Sequence, residues 1–253
     1  MTLSLAPELL TGYLLAMVRA TAWVHVCPPF GQRAIPRQVK VGFAAALALA
    51  LGPKPGVQNV PMETAPLVTS ALLQVAVGLA MGFIALMLFS ALQAAGNIID
   101  MVSGFTMAQL FDPLSSAPAS AFGRFYNLLA VTLLFAIDGH LMLVRGFVKS
   151  FDAAPLTEIN INAVAKLMSS DLSTFFLAAV QTAAPLMAAL FLTEITLGLL
   201  ARAAPHLNIF LLGLPIKLLL TVSLAGLAIP LLPGAVSSLL RPMIRHGLQV
   251  VGG

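Results

Sequence analysis

The chain has 253 residues and a net charge of +4, and 59% of its residues are hydrophobic while only 9% are charged. A soluble domain is about 45–50% apolar and about 25% charged, so this composition excludes a soluble monomer and predicts a membrane protein. The basic residues are scattered singly, which argues against a nucleic-acid surface, and a single cysteine, Cys27, excludes an internal disulfide.

The first apolar segment covers residues 9–26 and contains Arg19. A Pro-Pro-Phe-Gly stop at residues 28–31 and a basic connector at 33–40 follow it. The next apolar run, residues 41–51, is shorter than the roughly 20 residues that a helix needs to cross a bilayer. This run is therefore not expected to cross the membrane alone.

The longest run without a charged residue or histidine covers residues 64–99. As one helix it would be about 54 Å long, well beyond a hydrocarbon core of about 30 Å. We expect it to tilt, bend or stand partly outside lipid. Residues 104–122 have a loop-like sequence, centred on Asp112-Pro113.

Apolar character resumes over residues 125–148, interrupted at 138–140. The most polar stretch, residues 151–171, is predicted to be a loop. Two further uncharged runs follow, at 172–193 with a break expected at Pro185, and at 218–240. The sequence at 204–208 predicts a break between helices.

These segments indicate one all-α unit over residues 1–253, an integral membrane-type protein of broken helices and helical hairpins. A simple count gives six crossings. The positive-inside rule puts the 33–40 connector and the basic tail in the cytoplasm and the 151–171 stretch outside. If every apolar run crossed the membrane once, the loops would not all fall on these sides. The assignment is consistent only if one long run forms a hairpin that returns to the side from which it started.

Charged and histidine side chains inside apolar segments are costly, so each is a candidate site. Helix-end groups, interhelical pairs or contacts to a partner subunit are their commoner role. The two acids Asp100 and Glu194 are the best candidates for a proton relay. Arg202 and Lys217 flank the break expected at 204–215. We expect these two cations to bond exposed carbonyls or carboxylates of a partner subunit there. The candidates are Arg19, Asp100, Asp138, His140, Arg145, Glu194, Arg202 and Lys217.

No motif for an enzyme occurs in the sequence, and the four histidines have no carboxylate or cysteine at ligand spacing. We therefore expect no catalytic site, cofactor or metal. The pair Gly78 and Gly82, four residues apart, favours close helix packing, although glycine is common in membrane helices.

Several short motifs, in order along most of the chain, resemble the FliR family of flagellar export-gate proteins, which is related to the SctT proteins of injectisomes. They include Arg19, the Gly-Asn-Ile-Ile-Asp…Gly-Phe stretch at 96–105, and Arg-Ala-Ala-Pro-His-Leu-Asn at 202–208 followed by Gly-Leu-Pro-Ile-Lys at 213–217. One departure is His206, where relatives usually have Gln.

The resemblance implies a channel subunit that assembles with FliP and FliQ into a helical export gate, with FlhB associated. It implies helical hairpins that stand largely above the plane of the bilayer in the assembled complex. It also implies that the complex is located at the inner membrane, in the flagellar basal body. The implied activity is passage of unfolded substrates.

In FliR-like proteins the loop that corresponds to residues 105–122 lies in the channel as a plug. Its composition suits a hydrophobic constriction, because apolar side chains exclude water while prolines prevent a plain helix. An ordinary connector is the alternative. The plug residues are Phe105, Met107, Leu110, Phe111, Asp112, Pro113, Leu114 and Phe122.

Other functions remain open at this point. An injectisome subunit is the nearest alternative to a flagellar one. A small ion-coupled transporter would use Asp100 or Glu194 near broken helices, but no inverted pair of interrupted segments supports it. An intramembrane enzyme has no motif in its favour.

Overall fold

A computed structural model describes residues 7–51, 63–106, 120–153, 161–206, 208–234, 236–237 and 240. Within these ranges the regular structure is helical and contains no strand. The elements are α1 (Pro7–Val26), α2 (Pro28–Gly31), α3 (Arg37–Leu51), α4 (Thr64–Ser103), α5 (Ala121–Ala136), α6 (Gly139–Ala153), α7 (Ile161–Ala203), α8 (Ile209–Ala228) and a 3₁₀ turn (Ile229–Leu231).

Four helices are long and apolar enough to cross a membrane, with candidate spans Leu9–Val26, Thr64–Ser103, Phe175–Ala203 and Leu211–Ala228. A fifth is reached only if α5 and α6 count as one broken span. The expected all-α integral membrane fold is therefore confirmed. The simple count of six is not reached among the described residues, because α3 has only 15 residues and would extend about 22 Å.

The apolar run at 64–99 is one uninterrupted helix, α4, of 40 residues. At 1.5 Å per residue it is about 60 Å long. About two-thirds of the most apolar stretch of α4 is buried within the chain, compared with 17% of the most apolar stretch of α8. Thus α4 is a core helix over much of its length, whereas α8 leaves most of its apolar surface for lipid or another protein.

Two expectations about helix ends are wrong. Residues 151–153 belong to α6 and residues 161–171 belong to α7, so the loop predicted over 151–171 is wrong at both of its ends. Residues 154–160 lie outside the described residues. Pro185 lies inside α7 without ending it. A proline removes one backbone donor, but Ala183, Leu186 and Leu190 around it are buried, and their packing holds the helix together.

The break at 204–208 is present, since α7 ends at Ala203 and α8 begins at Ile209. The side chain of Asn208 accepts a hydrogen bond from the Leu211 N–H at 3.2 Å and so caps α8. Pro215 lies within α8. The helical structure is therefore interrupted only between Ala203 and Ile209.

The chain divides into two compact units, and the single-domain assignment over 1–253 stays a prediction. The first unit comprises Met1–Leu88, Asp138–Leu172 and Leu240–Gly253. In its core the Trp23 ring stacks on Phe147 with centroids 4.6 Å apart, and Phe147 in turn meets Phe151 edge-on at 5.4 Å. Trp23 and Phe147 are almost completely buried, and burial of large rings of this kind is strongly stabilising.

The second unit comprises Phe89–Ile137 and Ser173–Leu239. Its core joins side chains from α4, α5, α7 and α8 with one residue beyond the 3₁₀ turn. The fully or nearly buried members are Ala95, Ile99, Phe122, Tyr126, Ala183, Leu186, Ala225 and Leu232. This core brings the end of α4 beside the start of α5, where the candidate site lies.

Candidate functional site

One carboxylate joins the end of α4 to the start of α5. Asp100, three residues before the end of α4, is fully buried. Its Oδ2 atom accepts hydrogen bonds from the Ser120 hydroxyl, from the Phe122 N–H at 2.9 Å and, more loosely, from the Gly123 N–H at 3.5 Å. The first N–H groups of a helix lack partners within the helix, and the helix dipole favours negative charge there. Asp100 therefore fixes the first turn of α5 onto α4.

Ser120 completes this joint from the other side. Its side-chain oxygen accepts a hydrogen bond from the Gly123 N–H at 2.8 Å, which makes Ser120 the N-cap of α5, while its hydroxyl donates to Asp100. Ser120 was not among the predicted site residues. A serine directly before an apolar helical run is a recognisable signal for a helix start, so this residue was accessible from the sequence.

A close backbone approach makes the Asp100 contacts possible. A Cβ atom at Gly96 would lie 2.4 Å from the Phe122 carbonyl oxygen and 2.6 Å from the Gly123 nitrogen. A Cβ atom at Gly123 would lie 2.0 Å from the Asn97 Oδ1. Neither position has room for a side chain, so the two glycines set how near α5 comes to α4.

The second carboxylate oxygen of Asp100 remains open. Oδ1 is buried and has no hydrogen-bond partner among the described residues. A buried carboxylate oxygen in this state can accept one further hydrogen bond. The described surroundings of Asp100 are donors from the start of α5, and they do not form the chain of titratable groups that a proton relay requires.

The two described ends of the predicted plug meet above this joint. Gly104 ends α4 with φ +90°, a conformation that L side chains rarely adopt. Directly after it, the Phe105 ring meets the Phe122 ring edge-on with centroids 5.3 Å apart. The described residues on either side of the plug sequence are thus in contact with each other. Six predicted plug residues fall outside the described residues: Met107, Leu110, Phe111, Asp112, Pro113 and Leu114.

An almost wholly apolar cavity of about 420 Å³ opens beside these ends. Both plug-stem aromatics line it, together with residues of α5, α8 and the 3₁₀ turn. The lining residues are Phe105, Ala121, Phe122, Phe125, Val222, Ala225, Gly226 and Ile229.

Arg19 forms a separate polar centre inside the first unit. Its side chain is fully buried, and Nε donates to the Gln74 side-chain oxygen at 2.6 Å. One terminal nitrogen donates to the Ser150 carbonyl at 3.0 Å, and the guanidinium lies 4.2 Å from the centre of the Phe151 ring. Arg19 thereby links α1, α4 and α6. Gln74 and Ser150 were not predicted, although an amide within a long apolar run is a signal that could have identified Gln74.

The helix-packing pair Gly78 and Gly82 lies against α1 in the same unit. A Cβ atom at Gly78 would lie 2.4 Å from the Arg19 carbonyl oxygen, and one at Gly82 would lie 2.9 Å from the Val26 Cβ. Both glycines therefore stand where α1 and α4 come closest. His140 is half-buried near the start of α6.

Lys217 and Glu194 form an ion pair between α8 and α7. The expectation that Lys217 bonds exposed carbonyls or a partner carboxylate stays a prediction, and within the chain Lys217 contacts the carboxylate of Glu194. Glu194 is 62% exposed, and both residues line a cavity of about 580 Å³ that also includes Gly104. Arg202 is exposed near the end of α7. No group of three or more possible metal ligands occurs in the described part of the chain.

Comparison with known proteins gives a family match over most of the chain. The model of bacterial export proteins, family 1, matches residues 10–243. Flagellar biosynthetic protein FliR of Escherichia coli (strain K12) is 32% identical over 222 residues, covering 87% of this chain and 85% of that protein. FliR of Bacillus subtilis (strain 168) is 31% identical over 218 residues, covering 83% of each. Yop proteins translocation protein T of Yersinia pestis is 34% identical over 177 residues, covering 67% of each.

Proposed function

The chain belongs to the bacterial export proteins, family 1, and from this membership we propose that it is a core channel component of the flagellar type III protein export gate. In this role it passes unfolded flagellar substrates across the bacterial inner membrane at the flagellar basal body. The observation that carries the proposal is the match to flagellar FliR proteins over more than four-fifths of both chains. The apolar helices of the chain are compatible with a multi-pass position in the membrane.

Assembly with FliP and FliQ, and association with FlhB, is part of the proposal. Its physical support is the surface that the chain leaves uncovered. Within the chain, only 17% of the most apolar stretch of α8 and 33% of the most apolar stretch of α7 is buried. Apolar faces of this extent need lipid or protein partners.

The plug is also proposed here. The contact between the Phe105 and Phe122 rings supports it, because the described residues on either side of the plug sequence lie together. The hydrogen bonds from Ser120 and Phe122 to Asp100 stabilise this arrangement. Hydrophobic constrictions close a wide pore by excluding water, and most of the side chains in the segment are apolar. The role is structural and not catalytic.

The proposal is tested by co-expression. Full-length chain produced with FliP and FliQ is expected to purify as one detergent-stable particle, and it should restore motility to a flagellated bacterium that lacks its own FliR. Chain produced alone is expected to aggregate in the same detergent, because its α7 and α8 faces stay uncovered. A well-behaved monomer that transports a small solute in liposomes would overturn the export-gate assignment.

An injectisome subunit is the second candidate, and the match to Yop proteins translocation protein T favours it. That match covers 67% of the chain, whereas the FliR matches cover 83–87%. The flagellar role is therefore preferred, and the motility test separates the two. An ion-coupled transporter is less well supported, because Asp100 and Glu194 both have partners within the chain.

A further inference from the structure

The exposed side of the second half of α4 is unusual for an apolar helix. Its exposed residues recur at positions 86, 90, 93, 97 and 101, a spacing of three or four that forms one line along the helix. The three central members, Ser90, Gln93 and Asn97, are uncharged and polar. Residues on the opposite side of this stretch, such as Leu92 and Ala95, are apolar and buried.

The start of α5 extends this line with two more polar residues. Asn127 donates a hydrogen bond from Nδ2 to the Gln93 side-chain oxygen at 3.4 Å. Arg124, one turn earlier, is exposed and forms no ion pair with a described carboxylate. Together these residues form what we call the polar stripe, which consists of Ser90, Gln93, Asn97, Arg124 and Asn127.

The polar stripe is unsuited to hydrocarbon. Amide and guanidinium groups in lipid need internal partners, and the described residues give the stripe only the one bond between Asn127 and Gln93. The exposed face of α8 shows the contrast, since Leu212, Leu219 and Leu227 are apolar. The second unit therefore exposes an apolar face on α8 and a narrow polar line on α4 and α5, which is bordered by the exposed apolar residues Met101, Phe125 and Leu128.

We propose that the polar stripe lines the aqueous path of the export gate and contacts the backbone of the unfolded polypeptide that passes through it. This rests on the proposed function. Amide side chains both donate and accept hydrogen bonds, so they match peptide N–H and C=O groups in any sequence. The stripe carries no acid and no large apolar side chain in its central part, which favours brief contacts with many different substrates.

The position of the stripe supports this occupant over a partner helix. Asn97 lies three residues before Asp100, so the stripe ends where Asp100 and Ser120 hold the proposed plug. A substrate that displaces the plug would then pass directly onto the amides of α4 and α5.

The single cysteine of the chain makes a sharp test possible. Cys27 is fully buried, and burial raises the pKa of its thiol, so it reacts little with added reagents. Variants Gln93→Cys and Asn97→Cys each add one exposed thiol, and Leu219→Cys on α8 is the matched control, because Leu219 is 71% exposed. Each variant is assembled in membranes with the other gate subunits. A small charged thiol reagent is applied to both faces, with and without an export substrate fused to a tightly folded domain that halts transport.

We expect both stripe variants to be labelled in the resting gate and the Leu219→Cys variant to stay unlabelled. If the halted chain occupies the path about nine-tenths of the time, labelling at the stripe slows about tenfold. Stripe cysteines that never react in the assembled gate lie against lipid or a partner subunit, and that result overturns the proposal. Labelling that the halted substrate leaves unchanged also overturns it, because the path is then lined elsewhere.

Failure of the proposed function gives a different result. Each variant is also scored for co-purification with the other gate subunits and for motility. Loss of these in the unsubstituted chain contradicts the export-gate role itself. Normal assembly and motility without substrate protection contradict only the assignment of the stripe.

Discussion

Arg19 and Asp100 are both fully buried charged residues in apolar helices, and they are stabilised in opposite ways. Arg19 donates to acceptors on two other helices and lies against the Phe151 ring, so it ties three helices of the first unit together. Asp100 accepts from the first turn of one helix and keeps one oxygen without a described partner. The cation is built into a core, whereas the anion anchors the ends of one segment.

The contrast shows why burial alone does not identify a functional group. Both residues are typical of site candidates in a membrane sequence. Only their contacts separate a centre that stabilises the unit from one that holds the proposed plug. Substitutions in the two regions should therefore differ in kind: loss of assembled protein at Arg19, and a change in the α4–α5 joint at Asp100.

Replacing Arg19 should have the largest effect. Arg19→Met keeps much of the side-chain volume but removes the hydrogen bonds that Arg19 donates to Gln74 and to the Ser150 carbonyl, and we expect a loss of about 3 kcal/mol in stability. The measurement is thermal unfolding of the detergent-solubilised particle. Arg19→Lys keeps the charge but not the planar guanidinium group, so its unfolding temperature should lie between those of the unsubstituted chain and Arg19→Met. An unchanged unfolding temperature for Arg19→Met would contradict the account of this centre.

Gly96→Ala should come next. The added Cβ would meet backbone atoms of Phe122 and Gly123, so α5 must move away and we expect a loss of about 1–3 kcal/mol. Gly226→Ala is the matched control, because nothing lies within 4 Å of a Cβ there. The same unfolding assay compares the two. Equal losses would show that the close approach of α4 and α5 is not needed.

Asp100→Asn sharpens the comparison by removing charge at constant shape. The amide oxygen of the variant can still accept a hydrogen bond from the Phe122 N–H, so the joint is weakened and not abolished. Because the charge–dipole interaction is lost, we expect a loss of about 1–2 kcal/mol in stability. Backbone amide exchange at Phe122 and Gly123 is the specific readout, and it should become faster while exchange around Arg19 is unchanged. Unaltered exchange at α5 would refute the role given to Asp100.

Lys217→Leu should have the smallest effect on stability. The pair with Glu194 is partly exposed, and pairs of this kind contribute about 0–1 kcal/mol. Glu194→Gln should therefore match it, and the double variant should add little. Yield of the co-purified particle is the measurement. A much larger loss for Lys217→Leu than for Glu194→Gln would mean that Lys217 has a second partner in the assembly.

The sequence predicted the class of fold well because composition and long apolar runs determine it. It placed the break before α8, where Pro205 and the capping Asn208 act locally. It failed at Pro185, because tertiary burial around a proline outweighs its local preference. It also missed the helical structure at 161–171, since a helix tolerates the scattered charges of that stretch.

The candidate site was predictable only in part, and the reason is distance along the chain. Asp100 and Phe122 were named, but the contact between them spans 22 residues and no local pattern encodes it. Ser120 and Gly96 carry local signals, a helix cap and a small residue, whose importance depends on which helix lies opposite. For Arg19, the partners Gln74 and Ser150 are 55 and 131 residues away.

The proposed plug at residues 105–122 is expected to close the export path. It is tested most directly by ion leakage through the assembled, resting gate after residues 110–116 are removed. Phe105, Ser120 and Phe122 are kept, so that the stems remain. A deletion of equal length within 154–160 is the control. The account predicts normal assembly with a clear rise in leakage for the first deletion and none for the second, whereas a shortened gate that assembles normally and stays tight would contradict it.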